Sequence, residues 1–202
     1  STPHQLVQAG EVVANPLYVM VLDQFGNPAS QFRVTFRTPN TGPSCLFPGN
    51  KHTSDVTIDS LGRAQAEECR ANGVLGDFEV TATAYGNITV YLDVTVVVGN
   101  ASNVAIVLGD KQFAEVSHAF NPLTVNVTDS FGNLVRGSAV TFSVAATSAS
   151  GIFDGNTTSI TLPTNVDGTV STSGYSLTAN TIAGAWTLSV VVQGIKIGRA
   201  HV

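Results

Sequence analysis

The residues of this chain that could do chemistry are few, and their spacing does not bring them together. The four histidines are scattered, at His4, His52, His118 and His201. The sequence contains no G-x-S-x-G nucleophile elbow, no H-E-x-x-H zinc motif and no phosphate-binding glycine loop. Glu67 and Glu68 fall on an expected strand, where neighbouring side chains point to opposite faces and cannot act as an acid–base pair. We therefore predict no catalytic residue, no cofactor, no metal site and no enzymatic activity.

The two cysteines, Cys45 and Cys69, both lie in the first half of the chain. Two cysteines do not complete a zinc site, and the nearby His52 would be a poor third ligand. We predict a Cys45–Cys69 disulfide, and two buried free thiols are the alternative. A disulfide indicates an oxidising compartment, so we expect an extracellular or cell-surface location.

The composition argues against several classes of partner. Charged residues make up 11% of the chain and the net charge is −5, with no cluster of Lys and Arg that would bind nucleic acid. No apolar stretch reaches the roughly 20 residues that span a bilayer. Ser and Thr account for 40 of 202 residues, whereas 137–195 contains only two charged residues, Asp154 and Asp167. We expect hydroxyl groups, attached sugars or neighbouring molecules to cover this second half.

The chain contains a long internal repeat. Residues 15–36 (NPLYVMVLDQFGNPASQFRVTF) and 121–142 (NPLTVNVTDSFGNLVRGSAVTF) match at a constant offset of 106, with 12 of 22 positions identical. A repeat of about a hundred residues is long enough for each copy to be a domain with its own core. We predict domain 1 at 1–99, containing the disulfide, and domain 2 at 100–202.

Each copy alternates apolar and polar residues over short runs rich in Val, Thr and Phe, separated by Gly, Asn, Pro and Asp. This pattern is typical of antiparallel β-sandwiches. The shared D-x-F-G-N segment, at 23–27 and 129–133, has the residues of a tight turn between strands. A calcium site is the alternative for its Asp and Asn, but a dedicated calcium loop carries more acidic oxygens.

The order of motifs resembles a known family. An apolar strand, the D-x-F-G-N turn, a V-T-F strand, a D/S-x-G turn and G-x-F/W-x-V/L (76–80 and 184–188) follow one another twice. This order resembles bacterial Ig-like domains, the repeats of invasin- and intimin-type surface adhesins. The resemblance implies an all-β fold of two tandem immunoglobulin-like antiparallel β-sandwiches that act mainly as spacers. Phe78 and Trp186 match across the repeat and are expected to be core anchors.

The two copies differ on one strand. In 122–128 the apolar residues alternate with polar ones, and they should face the core. The same register in the first copy turns Tyr18, Met20 and Leu22 outward. Because a strand that is apolar on both faces is usually covered on both, we predict an interface here with another chain or domain. The alternative is that a loop or the first strand of the same domain covers these residues.

The C-terminal end of the second copy does not match the first. The closing strand of the first copy, 88–96, alternates well, whereas 194–202 does not. The segment 197–202 (IGRAHV) looks like the translation of a sequencing adapter, so we expect that it is not native sequence. We therefore expect the last strand of domain 2 to be incomplete. Either further residues of the native chain fill the gap, or a strand is supplied in trans, head to tail, with 1–10 as a candidate donor.

Four N-x-S/T sequons occur, at Asn87, Asn100, Asn126 and Asn156. All four positions are expected to be exposed, so we predict N-linked glycans there if the source is eukaryotic.

The sequence therefore predicts an extracellular structural module, a subunit of an adhesin stalk or of a fibre. It would assemble with copies of itself or with adjacent Ig-like domains through sandwich edges and apolar patches. One alternative is a ligand- or carbohydrate-binding ectodomain that uses an exposed Phe25 or Phe131 in the turns. A second is a set of accessory domains of a large secreted enzyme.

Overall fold

A computed structural model confirms the all-β class. It describes residues 4–29, 32–85, 87–145, 148–192 and, as a backbone trace, 195–201. These residues form strands and turns without any helix, so the described chain contains no helix that is long and apolar enough to cross a membrane. The chain divides into two compact units, Ser1–Gly99 (unit 1) and Asn100–Val202 (unit 2).

Unit 1 is a sandwich of one large sheet and two strand pairs. Its strands are β1 (Gln5–Gln8), β2 (Tyr18–Met20), β3 (Arg33–Arg37), β4 (Cys45–Leu46), β5 (Thr53–Thr57), β6 (Arg63–Gln65), β7 (Arg70–Ala71), β8 (Gly76–Ala84) and β9 (Ile88–Val97). The large sheet has the order β1-β9-β8-β3-β5, and the other layer contains the pairs β2-β6 and β4-β7. All pairings are antiparallel except β1 with β9.

Unit 2 is also built from β-strands in two layers. Its strands are β10 (Asn103–Leu108), β11 (Thr124–Thr128), β12 (Ala139–Ser143), β13 (Gly151–Phe153), β14 (Ser159–Pro163), β15 (Thr169–Ser171), β16 (Leu177–Ala179), β17 (Thr187–Val192) and β18 (Ile195–His201). One sheet has the order β14-β12-β17-β18, and the facing layer contains the sheet β10-β11-β15 and the pair β13-β16.

The alternation of side chains explains both cores. In β3, Val34 and Phe36 are fully buried, and the residue between them is half-buried. In β12, Val140 and Phe142 are likewise fully buried on either side of a half-buried residue. Each strand is paired on both edges within its sheet, and its inward side chains point toward the opposite layer. Phe78 is also buried, as the repeat predicts. The short pairs β4-β7 and β13-β16 were not predicted, because two or three residues carry too little alternation to stand out.

The segments at both chain ends pair with strands of their own unit. Residues 195–201 form β18, which pairs antiparallel with β17 from Thr187↔His201 to Val192↔Ile195. Since 197–202 is the segment that we expect not to be native, how the native chain completes this sheet stays a prediction. Within the segment 1–10 that we considered as a donor in trans, β1 instead pairs with β9 of its own unit.

Candidate interaction surfaces

The D-x-F-G-N turn of unit 1 is held by its first residue. The Asp23 carboxylate accepts hydrogen bonds from the backbone N–H of Phe25 (2.8 Å) and of Asn27 (2.9 Å), and from the Asn27 side-chain amide (3.0 Å). These donors favour the charged form of Asp23 and lower its pKa below the ordinary value of 3.8, and the side-chain amide of Asn27 has the largest effect. Gly26 has φ +84°, which favours glycine at this position.

Unit 2 has the same turn. The Asp129 carboxylate accepts from the N–H of Phe131 and of Asn133 (both 2.9 Å) and from the Asn133 amide (2.9 Å). In both turns the carboxylate oxygens are thus occupied by the turn's own donors, which favours the turn interpretation over calcium. Among the described residues, no group of three or more His, Cys, Asp or Glu is placed to hold a metal ion.

The turns present aromatic rings to solvent. Phe25 is 79% exposed and Phe131 is 51% exposed, although their carboxylate partners fix the backbone beneath them. Because the backbone is held, little backbone conformational entropy would be lost if a ring packed against a partner.

The outer face of β2 carries the predicted patch. Tyr18, Met20 and Leu22 (the apolar patch) are exposed by 39%, 52% and 52%. β2 pairs with β6 in the register Tyr18↔Gln65 and Met20↔Arg63. The Arg63 guanidinium lies 4.4 Å from the Tyr18 ring centroid, a cation–π contact at the edge of the patch.

The equivalent face of unit 2 is polar. At the offset of 106, the patch residues correspond to Thr124, Asn126 and Thr128, all of them half-buried. The Thr124 hydroxyl donates to Ser171 Oγ on the neighbouring β15 at 3.2 Å. The two faces belong to matching strands, β2 and β11, that lead into the same turn. At these three positions, exposed apolar side chains occur in unit 1 and not in unit 2.

The four sequons differ in accessibility. Asn87, Asn100 and Asn156 are exposed, whereas Asn126 is half-buried in the middle of β11, between β10 and β15. A glycan needs room around the amide nitrogen, so three of the predicted sites have that room and Asn126 has less.

Cys45 and Cys69 form a disulfide, with an S–S distance of 2.06 Å and a Cα–Cα distance of 5.5 Å. The bridge is buried and joins β4 to the residue preceding β7. Cys45 pairs with Ala71 in unit 1, and Gly151 pairs with Ala179 in unit 2. Gly151 is therefore the counterpart of Cys45, and Leu177, two residues before Ala179, is the counterpart of Cys69. There the Leu177 side chain lies so close to Gly151 that an added Cβ would be 2.8 Å from Leu177 Cδ1.

Unit 2 also contains an apolar cleft that sequence reasoning missed. Its volume is about 590 Å³ and its apolar walls include Phe113, Val116, Phe120, Ile182 and Trp186. Trp186, which we expected to be a core anchor, is half-buried and meets Phe120 edge to face with centroids 5.5 Å apart. The repeat identified the tryptophan, but the cleft depends on the segment 112–120, which has no close counterpart in unit 1.

The three histidines whose side chains the structure describes have separate contacts, and the side chain of His201 lies outside the described part. His4 Nε2 lies 2.8 Å from Thr95 Oγ1 on β9, and His52 Nδ1 lies 3.1 Å from Thr38 Oγ1. His118 is 3.9 Å from Glu115, and both side chains are solvent-exposed. The Thr95 hydroxyl also donates to the Asp77 carboxylate, and His118 Nδ1 lies 3.2 Å from Val116 O.

Comparison with known proteins gives the fold. No family model and no curated protein sequence matches the chain. The solved structure of the Escherichia coli adhesin FdeC aligns with 97% of this chain at 21% identity and a TM-score of 0.58, and the chain spans 60% of that structure. Invasin, a bacterial integrin-binding protein, aligns with 98% of the chain and 37% of its own at 22% identity and a TM-score of 0.43. Domains 4 and 5 of the S-layer protein SbsC align with 63% of the chain and 64% of their own at 18% identity and a TM-score of 0.36.

The alignment with FdeC shows that the two proteins share a fold. The chain thus has the β-sandwich fold of an adhesin's Ig-like domains, as its sequence motifs predict.

Proposed function

We propose that this chain is an extracellular structural module, part of an adhesin stalk or of a fibre, that joins adjacent Ig-like units through the apolar patch. The observation that carries the proposal is the exposure of Tyr18, Met20 and Leu22 on a face that is polar in the sister unit. The three side chains lie together on β2 and just after it, and covering such an apolar group with a partner lowers the free energy of the system.

Other features support an extracellular role. A buried disulfide persists in oxidising compartments, and the fold is that of a surface adhesin. The sequons at Asn87, Asn100, Asn126 and Asn156 are proposed glycan sites on the same grounds. Secretion from eukaryotic cells followed by glycosidase treatment and peptide mass analysis tests them, and the three exposed sites should be occupied more fully than Asn126.

The patch is tested by giving unit 1 the residues of unit 2, in the triple variant Tyr18→Thr, Met20→Asn, Leu22→Thr. Sedimentation velocity of the full chain should show association that increases with concentration, and the variant should remain monomeric. The control variant Ile88→Thr, Tyr91→Thr removes exposed apolar side chains from β9 and should associate like the unchanged chain. A chain that stays monomeric at all concentrations, or a triple variant that associates equally, contradicts the proposal.

The apolar cleft favours a second candidate, a ligand- or carbohydrate-binding ectodomain. Phe113 is fully exposed at the cleft and Trp186 lines it, so aromatic faces are available for stacking against a ligand. Binding on a glycan array by the monomeric chain, lost in Trp186→Ala and unchanged in the triple patch variant, would support this candidate. Absence of binding, or binding that survives Trp186→Ala, would argue against the cleft.

A further inference from the structure

In unit 2, β11 is paired on both edges. The backbone groups of Val125 and Val127 in β11, and of Leu123 just before it, face β15. Leu123 O accepts from Thr172 N–H (3.0 Å), and Val127 N–H donates to Gly168 O (2.9 Å). Backbone groups alternate sides along a strand, so those of Thr124, Asn126 and Thr128 face the other edge. There β10 pairs antiparallel, with Ala105↔Asn126 and Asn103↔Thr128.

In unit 1, β2 is paired on one edge. Leu17 O accepts from Ala66 N–H and Val21 N–H donates to Gly62 O, both at 2.8 Å, so the odd-numbered residues face β6. The backbone groups of Tyr18 and Met20 therefore face away from β6, toward an edge with which no described strand pairs. β1 does not fill this position, because it pairs parallel with β9 in the other sheet.

We propose that this free edge of β2 binds an antiparallel strand of the β10 type, supplied by an adjacent Ig-like unit. The register is that of β10 on β11: Met20 lies opposite the position of Ala105, and Leu22 opposite that of Asn103. This inference rests on the proposed role as a module among adjacent units, and it specifies how such a unit is joined.

The chain itself indicates the source and chemistry of the strand. β10 begins six residues after β9 ends, so the strand on the edge of β11 comes directly after the closing strand of the preceding unit. Its Val104 and Ile106 are half-buried against the sandwich, while Asn103 and Ala105 face solvent. An incoming strand therefore needs apolar residues at alternate inward positions and small or polar ones between them.

The apolar patch adjoins the same edge. When a strand binds in this register, its outward residues lie beside Tyr18, Met20 and Leu22 and remove part of their surface from water. Ladder hydrogen bonds to the free backbone groups give affinity, and the inward apolar positions give register, as in other strand-addition complexes. One bound strand thus satisfies both the unpaired backbone edge and the exposed side chains.

The test uses a synthetic peptide with the sequence of residues 100–110 and the isotope-labelled full chain. We expect saturable binding in NMR titrations, with the largest shifts and slowed amide exchange at Tyr18 and Met20. A control peptide with Ala105→Pro lacks one ladder N–H and should bind about tenfold more weakly. Equal binding of the two peptides, or shifts confined to residues outside β2, would overturn the proposal.

Two altered chains complete the test. In Met20→Pro the free-edge N–H is removed, and peptide binding should weaken about tenfold, as with the proline peptide, while thermal unfolding shows that the unit still folds. A chain with an added copy of 100–110 before Ser1 supplies the strand on the same molecule at high effective concentration, so it should bind free peptide more weakly and unfold at higher temperature. Peptide binding by a chain that never self-associates would support the edge and refute the proposed patch-driven association.

Discussion

The Cys45–Cys69 disulfide should account for much of the stability of unit 1. It closes a loop across a sequence separation of 24 residues. The loop-entropy relation for such a separation gives about 3.5 kcal/mol at room temperature. The double variant Cys45→Ala, Cys69→Ala should lose this amount, and somewhat more because both positions are buried and the smaller side chains leave a cavity.

Unit 2 provides a way to separate the covalent link from packing. Its counterparts Gly151 and Leu177 fill the same place without a bond. The variant Cys45→Gly, Cys69→Leu copies that arrangement into unit 1, so it should lose the link while recovering part of the packing. We expect it to be more stable than the double alanine variant and less stable than the unchanged chain.

The assay is equilibrium unfolding in urea, followed separately in the two units. Trp186, the single tryptophan, reports unit 2 by fluorescence, and hydrogen exchange of peptides from β3 and β8 reports unit 1. The unit 1 midpoint should fall by about 2 M in the double alanine variant, while the tryptophan transition stays in place. A loss below about 1 kcal/mol, or an equal shift of both transitions, would refute the loop-entropy explanation.

Three further results are expected. The pKa of Asp23 is lowered in the folded chain, so its stabilising contribution is present above about pH 4 and is lost as the pH falls through the folded pKa. Asp23→Asn should remove this contribution to the pH dependence of the free energy of unfolding while NMR still shows the turn. If the free energy of unfolding of the variant falls in acid as it does in the unchanged chain, the explanation is wrong. Gly62→Ala should cost about 1–3 kcal/mol in unfolding experiments, because an added Cβ would lie 2.8 Å from Val21 O, whereas Gly26→Ala meets no atom within 4 Å and should cost less. Glu79 lies opposite Asp93 across β8 and β9, so Glu79→Lys should stabilise unit 1 by about 0.2–1 kcal/mol, and a gain that does not shrink in high salt would point to another cause.

Much of the fold follows from local pattern. The alternation around Val34 and Phe36, and again around Val140 and Phe142, predicts central strands, because burial on one face requires a two-residue period. The aspartates of the D-x-F-G-N turns were likewise identifiable, since their hydrogen bonds connect residues two to four positions apart. The outward direction of Tyr18 followed from comparing one copy with the other.

Other features were beyond local pattern. The cleft beside Trp186 forms between segments about 70 residues apart, and the pairing of β18 with β17 depends on backbone groups that every residue carries. The replacement of the disulfide by Gly151 and Leu177 is visible only in the strand pairing. Cys45 matches Gly151 at an offset of 106, whereas Cys69 matches Leu177 at an offset of 108.

The sequence by itself determined the all-β class, the internal repeat, the turns and the outward face of β2, since these depend on the polarity and conformational preference of neighbouring residues. The tertiary structure decided which strand lies beside which: β1 on β9, β10 on β11, β18 on β17, and no described strand on the free edge of β2. The physical reason is that ladder hydrogen bonds are made by backbone groups common to nearly all residues, so partner choice is settled by how distant segments pack.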